Sequence, residues 1–94
     1  MEIMPSQVRC SHILVKTETE AKTLLERIKK GESFAKIAAE YSQCPSKKVG
    51  GDLGSFGRGM MVREFEKAAF ALQKDQLSSP VKTEFGWHII KRTG

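Results

Sequence analysis

The first apolar pattern in the chain repeats every second residue, from Gln7 to Lys16. Because successive side chains of a strand point to opposite faces, the two faces would carry different sets. One face would contain Val8, Cys10, His12 and Leu14, and the other Arg9, Ser11, Ile13 and Val15. The pattern predicts a strand whose apolar end is buried on both faces.

Helical spacing follows this strand. Thr17 is the predicted N-cap of a first helix, since Glu20 three residues later completes a capping box, and Gly31 ends it. Ser33 is the predicted cap of a second helix. The apolar positions at helical spacing are Ala21, Leu24, Leu25 and Ile28, then Phe34, Ile37, Ala38 and Tyr41. We expect both helices to share one core.

Glycines then alternate with apolar side chains over residues 50–65. Five glycines lie between positions 50 and 59, together with Leu53, Phe56, Met60 and Met61. Such a loop is shaped by its side chains, and it favours a shallow pocket for an apolar ligand group. Neither phosphate-binding glycine motif, GxxxxGK[ST] or GxGxxG, occurs here, so the sequence gives little support for nucleotide binding.

The remaining elements are short. We expect an exposed loop at Gln43–Lys48, strands at Leu53–Phe56, Pro80–Thr83 and Trp87–Arg92, a helix at Val62–Leu72, and turns at Lys74–Ser79 and Glu84–Gly86. The order is strand, helix, helix, strand, helix, strand, strand. Consecutive strands at the end favour an antiparallel sheet with helices packed around it, hence the α+β class.

Length and composition limit the organisation and the surroundings. The 94 residues predict one domain with a single core at residues 7–94, after an N-terminal tail at residues 1–6. No apolar run approaches the length of a membrane span, and Met1–Gln7 does not read as a secretory signal. We therefore expect a cytoplasmic protein, a monomer by default, with no membrane partner.

The formal charge of +5 raises the question of nucleic-acid binding. Lysine and arginine are spread along the chain, and no run of them exceeds two residues. Charge alone is a weak signal, so we expect no obligatory nucleic-acid partner.

Four side chains could carry chemistry: His12, His88, Cys10 and Cys44. Each has an ordinary structural interpretation as a hydrogen-bonded or packed residue. Together they could bind zinc, although the paired short spacings of structural zinc sites are missing. Cys44 with a histidine base could instead be a nucleophile. Two cysteines are too few to indicate a disulfide framework.

Five segments together carry a resemblance to a known family. They are VRCSHILVK (Val8–Lys16), YSQCPS (Tyr41–Ser46), GGDLGSFGRGMM (Gly50–Met61), FEKAAFAL (Phe65–Leu72) and FGWHIIK (Phe85–Lys91). In this order, and over about the whole chain, they resemble the parvulin family of peptidyl-prolyl cis-trans isomerases. The resemblance implies a four-stranded antiparallel sheet surrounded by helices, in the order β-α-α-(α)-β-α-β-β. It also implies noncovalent rotation of X–Pro bonds without cofactor or metal.

The resemblance assigns roles to eight residues. It implies that His12 and His88 form the centre of the active site on adjacent strands, that Thr83 orients His88, and that Cys44 faces the substrate peptide bond. The implied proline pocket consists of Leu53, Met61 and Phe65, with Phe85 at its edge.

One departure from the family affects the expected substrates. Phosphate-directed parvulins have a basic loop after the first strand, whereas here Lys16 is followed by Glu18 and Glu20, which repel phosphate. We therefore expect unphosphorylated substrates: unfolded or proline-containing polypeptides whose folding the protein assists. The alternative is a catalytically weak chaperone, or peptide-binding module, for proline-containing chains.

Overall fold

The computed structural model describes residues 6–94. The elements are β1 (Gln7–Val15), α1 (Glu18–Lys29), α2 (Phe34–Tyr41), a 3-10 helix (Pro45–Val49), β2 (Asp52–Gly57), α3 (Arg63–Ala71), β3 (Val81–Thr83) and β4 (Gly86–Arg92). Apart from Ser6, the predicted N-terminal tail lies outside the described residues, so the tail stays a prediction.

All four strands form one antiparallel sheet in the order β2-β1-β4-β3. Three helices surround it, so the predicted α+β class and the four-stranded sheet are confirmed. The last strand lies beside the first, with His12 opposite Ile90 and Leu14 opposite His88. This register places His12 and His88 diagonally on the same face, within reach of each other.

The sheet divides the expected single core into two clusters. One contains Cys10 and Ile90 and packs against α3, while the other contains Ile13 and Ile89 and packs against α1 and α2. The cause is the alternation along β1 and β4, which present apolar side chains to both faces. The first two helices share one cluster, as predicted. The two faces of β1 carry the sets of side chains expected from the sequence.

Local sequence signals explain the helix starts. The Thr17 side chain accepts a hydrogen bond from the Glu20 N–H at 3.2 Å, and the Ser33 side chain accepts from the Lys36 N–H at 3.3 Å. Both predicted N-caps are confirmed.

The segment expected as an exposed loop at Gln43–Lys48 is different, because Pro45 starts a 3-10 helix there. Proline fixes the backbone angle of a first helical turn, and Gly50 ends this helix with φ of +69°. The boundaries of the other strands and of α3 agree with the expected ones to within one residue. No helix within residues 6–94 combines the length and apolar composition needed to cross a membrane.

Candidate active site

A cleft of about 520 Å³ opens on the α3 side of the sheet. Seven of the eight predicted site residues line it: His12, Cys44, Leu53, Met61, Phe65, Phe85 and His88. Thr83 lies behind the wall, where it contacts His88. The fold thus brings together residues from β1, β2, β4, α3 and the loops between them.

Two buried histidines form the centre of the cleft. His12 and His88 are 5% and 4% exposed, and their Nδ1 atoms are 2.9 Å apart. The ring planes differ by 19° and the ring centroids are 5.1 Å apart. With the two nitrogens so close at this centroid distance, the rings meet edge to edge through one N–H···N hydrogen bond.

Thr83 extends this contact into a chain of hydrogen bonds. Its Oγ1 accepts from the Phe85 backbone N–H at 3.2 Å and lies 2.7 Å from His88 Nε2. The threonine oxygen keeps one proton and one lone pair for His88, so two proton arrangements satisfy the chain. In one, Thr83 donates to His88, His88 donates to His12, and the proton of His12 lies on Nε2. In the other, each bond runs in the opposite direction and Nε2 of His12 carries a lone pair.

The outer nitrogen of His12 ends this chain. Nε2 of His12 is buried and has no hydrogen-bond partner among residues 6–94. Buried polar atoms are usually paired, and an unpaired one in a cleft needs an explanation. Because His12 lines the cleft, its Nε2 is available for a hydrogen bond with a bound ligand.

Both histidines are neutral at physiological pH. Burial lowers the pKa of His12 to about 4, with the neighbouring His88 adding to the effect. Burial likewise lowers the pKa of His88 to about 4. The neutral state preserves the bond between them, since one nitrogen must keep a free lone pair to accept.

Phe65 is the rigid floor of the cleft. It is 3% exposed, and its ring stands nearly perpendicular to those of His12 and His88, at centroid distances of 5.5 and 5.3 Å. Leu53 and Met61 are partly buried against the same cluster. The floor is therefore fixed by the hydrophobic core and does not need to form when a ligand arrives.

The two cysteines have different surroundings. Cys10 is fully buried, which raises the pKa of its thiol to about 11, whereas Cys44 is half-buried and lines the cleft. Three of the four ring nitrogens of His12 and His88 bond each other or Thr83. The fourth, Nε2 of His12, has no hydrogen-bond partner among the described residues, so neither histidine is in place as a base for the Cys44 thiol.

A residue that the sequence interpretation missed holds the Cys44 segment in place. Ser42 is 3% exposed, and its Oγ accepts from the Leu14 N–H at 3.1 Å and from the Cys44 N–H at 3.4 Å. The Gln43 N–H donates to the Leu14 carbonyl at 2.8 Å. A short polar residue directly after a predicted helix was the available signal, because such residues commonly bond nearby backbone.

The mouth of the cleft is apolar and open to solvent. Phe85 is 62% exposed and Met60 is 68% exposed, although both are large hydrophobic residues. The sequence interpretation placed Phe85 at the edge but did not include Met60. Solvent-exposed apolar side chains beside a cleft are typical of a surface that binds another molecule.

The zinc alternative finds no support in the described part of the chain. Residues 6–94 contain no group of three or more His, Cys, Asp or Glu side chains placed to hold a metal ion.

Comparisons with known proteins identify the family of the chain. The family model for the rotamase PPIC-type PPIase domain matches residues 11–94. The foldase protein PrsA of Geobacillus kaustophilus is 56% identical over 88 residues, which cover 93% of this chain and 31% of the relative. The chain spans about a third of the length of the curated relatives it matches.

Solved structures are similar as well. The crystal structure of the peptidylprolyl isomerase PrsA from Bacillus cereus matches with a TM-score of 0.93 and 52% identity, covering 97% of this chain and 36% of that one. The Pin structure from the psychrophilic archaeon Cenarcheaum symbiosum has a TM-score of 0.85 and 54% identity. It covers 100% of this chain, which in turn covers 98% of the archaeal one.

Proposed function

The chain belongs to the family of rotamase PPIC-type PPIase domains, and from that membership we propose that it accelerates cis-trans rotation about X–Pro peptide bonds by noncovalent catalysis. The observation that carries the proposal is the apolar cleft with Phe65 as its floor and the unpaired Nε2 of His12 beside it. In this proposal, the clients are unfolded or proline-containing polypeptides whose folding the protein assists.

The reaction needs only a modest lowering of its barrier. Rotation about the peptide bond faces a barrier of about 18–20 kcal/mol, because the nitrogen lone pair is conjugated with the carbonyl. Each ~1.4 kcal/mol removed is a tenfold gain in rate. No bond forms or breaks, so the proposed catalysis requires no cofactor, metal or covalent intermediate.

The cleft offers two means of lowering the barrier. Leu53, Met61 and Phe65 would hold the proline ring while the preceding carbonyl group turns. A desolvated site favours the twisted amide, which is less polar than the planar one. In the tautomer with its proton on Nε2, His12 would donate a hydrogen bond to the amide as the charge of the amide redistributes, and a fixed donor has no reorganisation cost at that moment.

The test is the isomerisation rate of an unphosphorylated X–Pro tetrapeptide at several protein concentrations. We expect the isomerisation rate to rise in proportion to the protein concentration, and we expect this acceleration to be lost in the variant Met61→Ala/Phe65→Ala. The matched control is Leu24→Ala/Leu25→Ala, which removes apolar volume from the cluster on the opposite face of the sheet. A folded control variant should keep its activity, whereas equal loss in both double variants would refute the assigned pocket.

The region after β1 supports unphosphorylated substrates. Lys16, Glu18 and Glu20 are exposed, and Glu18 lies 3.8 Å from Lys22 in an ion pair. The acidic side chains would oppose a phosphate beside the cleft. A phosphopeptide should therefore be isomerised no faster than its unphosphorylated counterpart, and a large preference for the phosphopeptide would contradict this part of the proposal.

A second candidate function is a chaperone, or peptide-binding module, with weak catalysis. The exposed Met60 and Phe85 at the mouth favour it, because such side chains can hold extended apolar segments without turning a bond. Peptide binding without any acceleration of isomerisation would select this alternative.

The proposal also includes a monomer in the cytoplasm. The half-buried Cys44 is a free thiol, which suits a reducing compartment. Light scattering of the protein eluted from a size-exclusion column tests whether it is a monomer, and fractionation of the source cells tests its location. A stable dimer, or recovery outside the cytoplasm, would overturn them.

A further inference from the structure

A second cleft lies along α3, outside the proposed proline pocket. Its volume is about 440 Å³, and its walls are Arg58, Arg63, Glu66, Lys67, Phe70 and Ala71. Three cations against one carboxylate leave this lining with a net positive charge. We call this cleft the basic groove.

The single carboxylate of the basic groove is already engaged. Oε1 of Glu66 accepts from the Gly59 N–H at 2.5 Å, and Oε2 lies 3.8 Å from a guanidinium nitrogen of Arg58. Arg63 and Lys67 are exposed one helical turn apart, and within residues 6–94 neither lies in an ion pair. Two cations thus remain available for a ligand's negative charges.

Arg58 is partly ordered before any ligand binds. Its guanidinium lies 4.3 Å from the centroid of the Phe70 ring, yet its side chain is still 54% exposed. Stacking on an aromatic face restricts the conformations of a long side chain and leaves N–H groups free at its edge. A carboxylate that binds there meets a donor with less conformational freedom to lose.

The basic groove lies close to the proposed proline pocket. Phe65 of the pocket and Phe70 of the groove have ring centroids 6.0 and 6.2 Å from that of Phe56, so the two rings are at most about 12 Å apart. An extended chain advances about 3.3 Å per residue. About four residues span this straight-line distance. Because Phe56 between the two rings is buried, a chain on the surface with its proline in the pocket needs at least that many residues to reach the groove.

We propose that the basic groove binds an acidic stretch of the same polypeptide whose proline occupies the neighbouring cleft. This inference rests on the proposed function, because the apolar cleft for a polypeptide is what favours an acidic peptide over a nucleic acid here. Contacts so far from the rotating bond stabilise the bound ground state and the transition state equally. They lower the KM for acidic clients and leave kcat unchanged.

The experiment compares two fluorescent peptides of one length, each with a single X–Pro bond. One carries Asp and Glu at positions four to seven from the proline, and the other carries Asn and Gln there. Fluorescence anisotropy gives the Kd and the isomerisation assay gives the KM. We expect the acidic peptide to bind about tenfold more tightly, with the difference shrinking as NaCl is added.

Two double variants separate the groove from net charge. Arg63→Gln/Lys67→Gln should abolish the preference for the acidic peptide. Lys29→Gln/Lys30→Gln removes the same charge from the end of α1, which packs on the opposite face of the sheet, and should retain most of the preference. Equal affinity of wild type for the two peptides, or equal loss in both variants, would overturn the proposal.

Two further readouts keep this proposal distinct from the proposed function. If the minimal tetrapeptide is not accelerated, the isomerase proposal fails, and anisotropy of the two long peptides still decides the groove. A single-stranded oligonucleotide that binds through Arg63 and Lys67, while the acidic peptide gains nothing, would overturn the choice of ligand.

Discussion

At the scale of single residues, the paired histidines limit what the cleft can do. Their mutual hydrogen bond uses one nitrogen of each ring, and Thr83 uses a third. The fourth, Nε2 of His12, is the one left for a ligand among the described residues. This nitrogen can hydrogen-bond a bound amide, whereas no described side chain lies within hydrogen-bond distance of it as a nucleophile to be deprotonated.

Cys44 provides a direct test of the noncovalent mechanism. Cys44→Ser keeps a small polar side chain in the cleft wall, so we expect its kcat/KM to stay well above that of Met61→Ala/Phe65→Ala. Mass spectrometry of the wild type with substrate should find no adduct. A trapped adduct, or a loss as deep as that of the pocket variant, would show that the thiol attacks the substrate.

The same histidines predict how stability depends on pH. Their pKa values are lowered from 6.5 to about 4 in the folded chain, so the unfolded chain binds more protons between these values. Stability therefore rises with pH from about 4 to 6.5, by about 1–3 kcal/mol per histidine, and is fully present above that range.

Urea unfolding across this pH range measures the effect. His12→Gln/His88→Gln should flatten most of the dependence between about pH 5 and 6.5, because the two histidines no longer titrate there and the carboxyl groups titrate mainly at lower pH. A wild-type stability that is constant or falls from pH 4 to 6.5 would contradict the assignment of neutral buried histidines.

At the scale of elements, the segment between α2 and β2 is bonded to β1 at both ends. Ser42 and Gln43 bond Leu14 at one end, and the Gly51 carbonyl accepts from the His12 N–H at 2.9 Å at the other. This segment contains the 3-10 helix and carries Cys44. Its position over the cleft thus depends on backbone contacts with the strand that holds His12.

Gly51 is the residue that permits this close approach. It has φ of +88°, and a Cβ there would overlap the carbonyl oxygen of His12. Gly54 has φ of +73° but open space around it, so it is a matched control. We expect Gly54→Ala to cost about 1 kcal/mol from backbone strain alone and Gly51→Ala to cost clearly more.

Chemical denaturation of the two glycine variants measures the difference. Gly51→Ala should also lower the isomerisation rate, because the Cys44 segment must move away from β1. Equal stabilities of the two variants would show that the segment adapts without disturbing the strand.

At the scale of the whole molecule, the two hydrophobic clusters share the central strands. β1 and β4 each contribute to both clusters, so neither cluster can lose its strands without exposing the other. We therefore expect residues 7–94 to unfold in one cooperative transition, as small single domains usually do.

Two probes test this cooperativity. Trp87 packs against the cluster of α1 and α2, so its fluorescence reports that side, while far-ultraviolet circular dichroism reports all helices. Coincident urea transitions are expected. A fluorescence transition separated from the dichroism transition would mean that the two faces unfold independently.

Local signals in the sequence were sufficient for most elements. The alternation in β1 and the caps at Thr17 and Ser33 act over a few residues, so they could be recognised without the fold. The 3-10 helix after Pro45 was missed because short polar segments that contain proline form loops and single turns alike. Ser42 was missed because its hydrogen-bond partner on β1 is 28 residues away in sequence.

What the sequence determined by itself was the four strands and three α-helices, the α+β class and, through five ordered motifs, the family. Only the tertiary structure decided which side chains meet. Residues 76 apart in sequence, His12 and His88, bond because β4 pairs with β1 in one register, and a shift of one residue would turn His88 to the other face. The basic groove likewise unites Arg58 of a loop with Arg63 and Lys67 of α3. Such contacts arise from packing between elements, which the periodicity within each element does not specify.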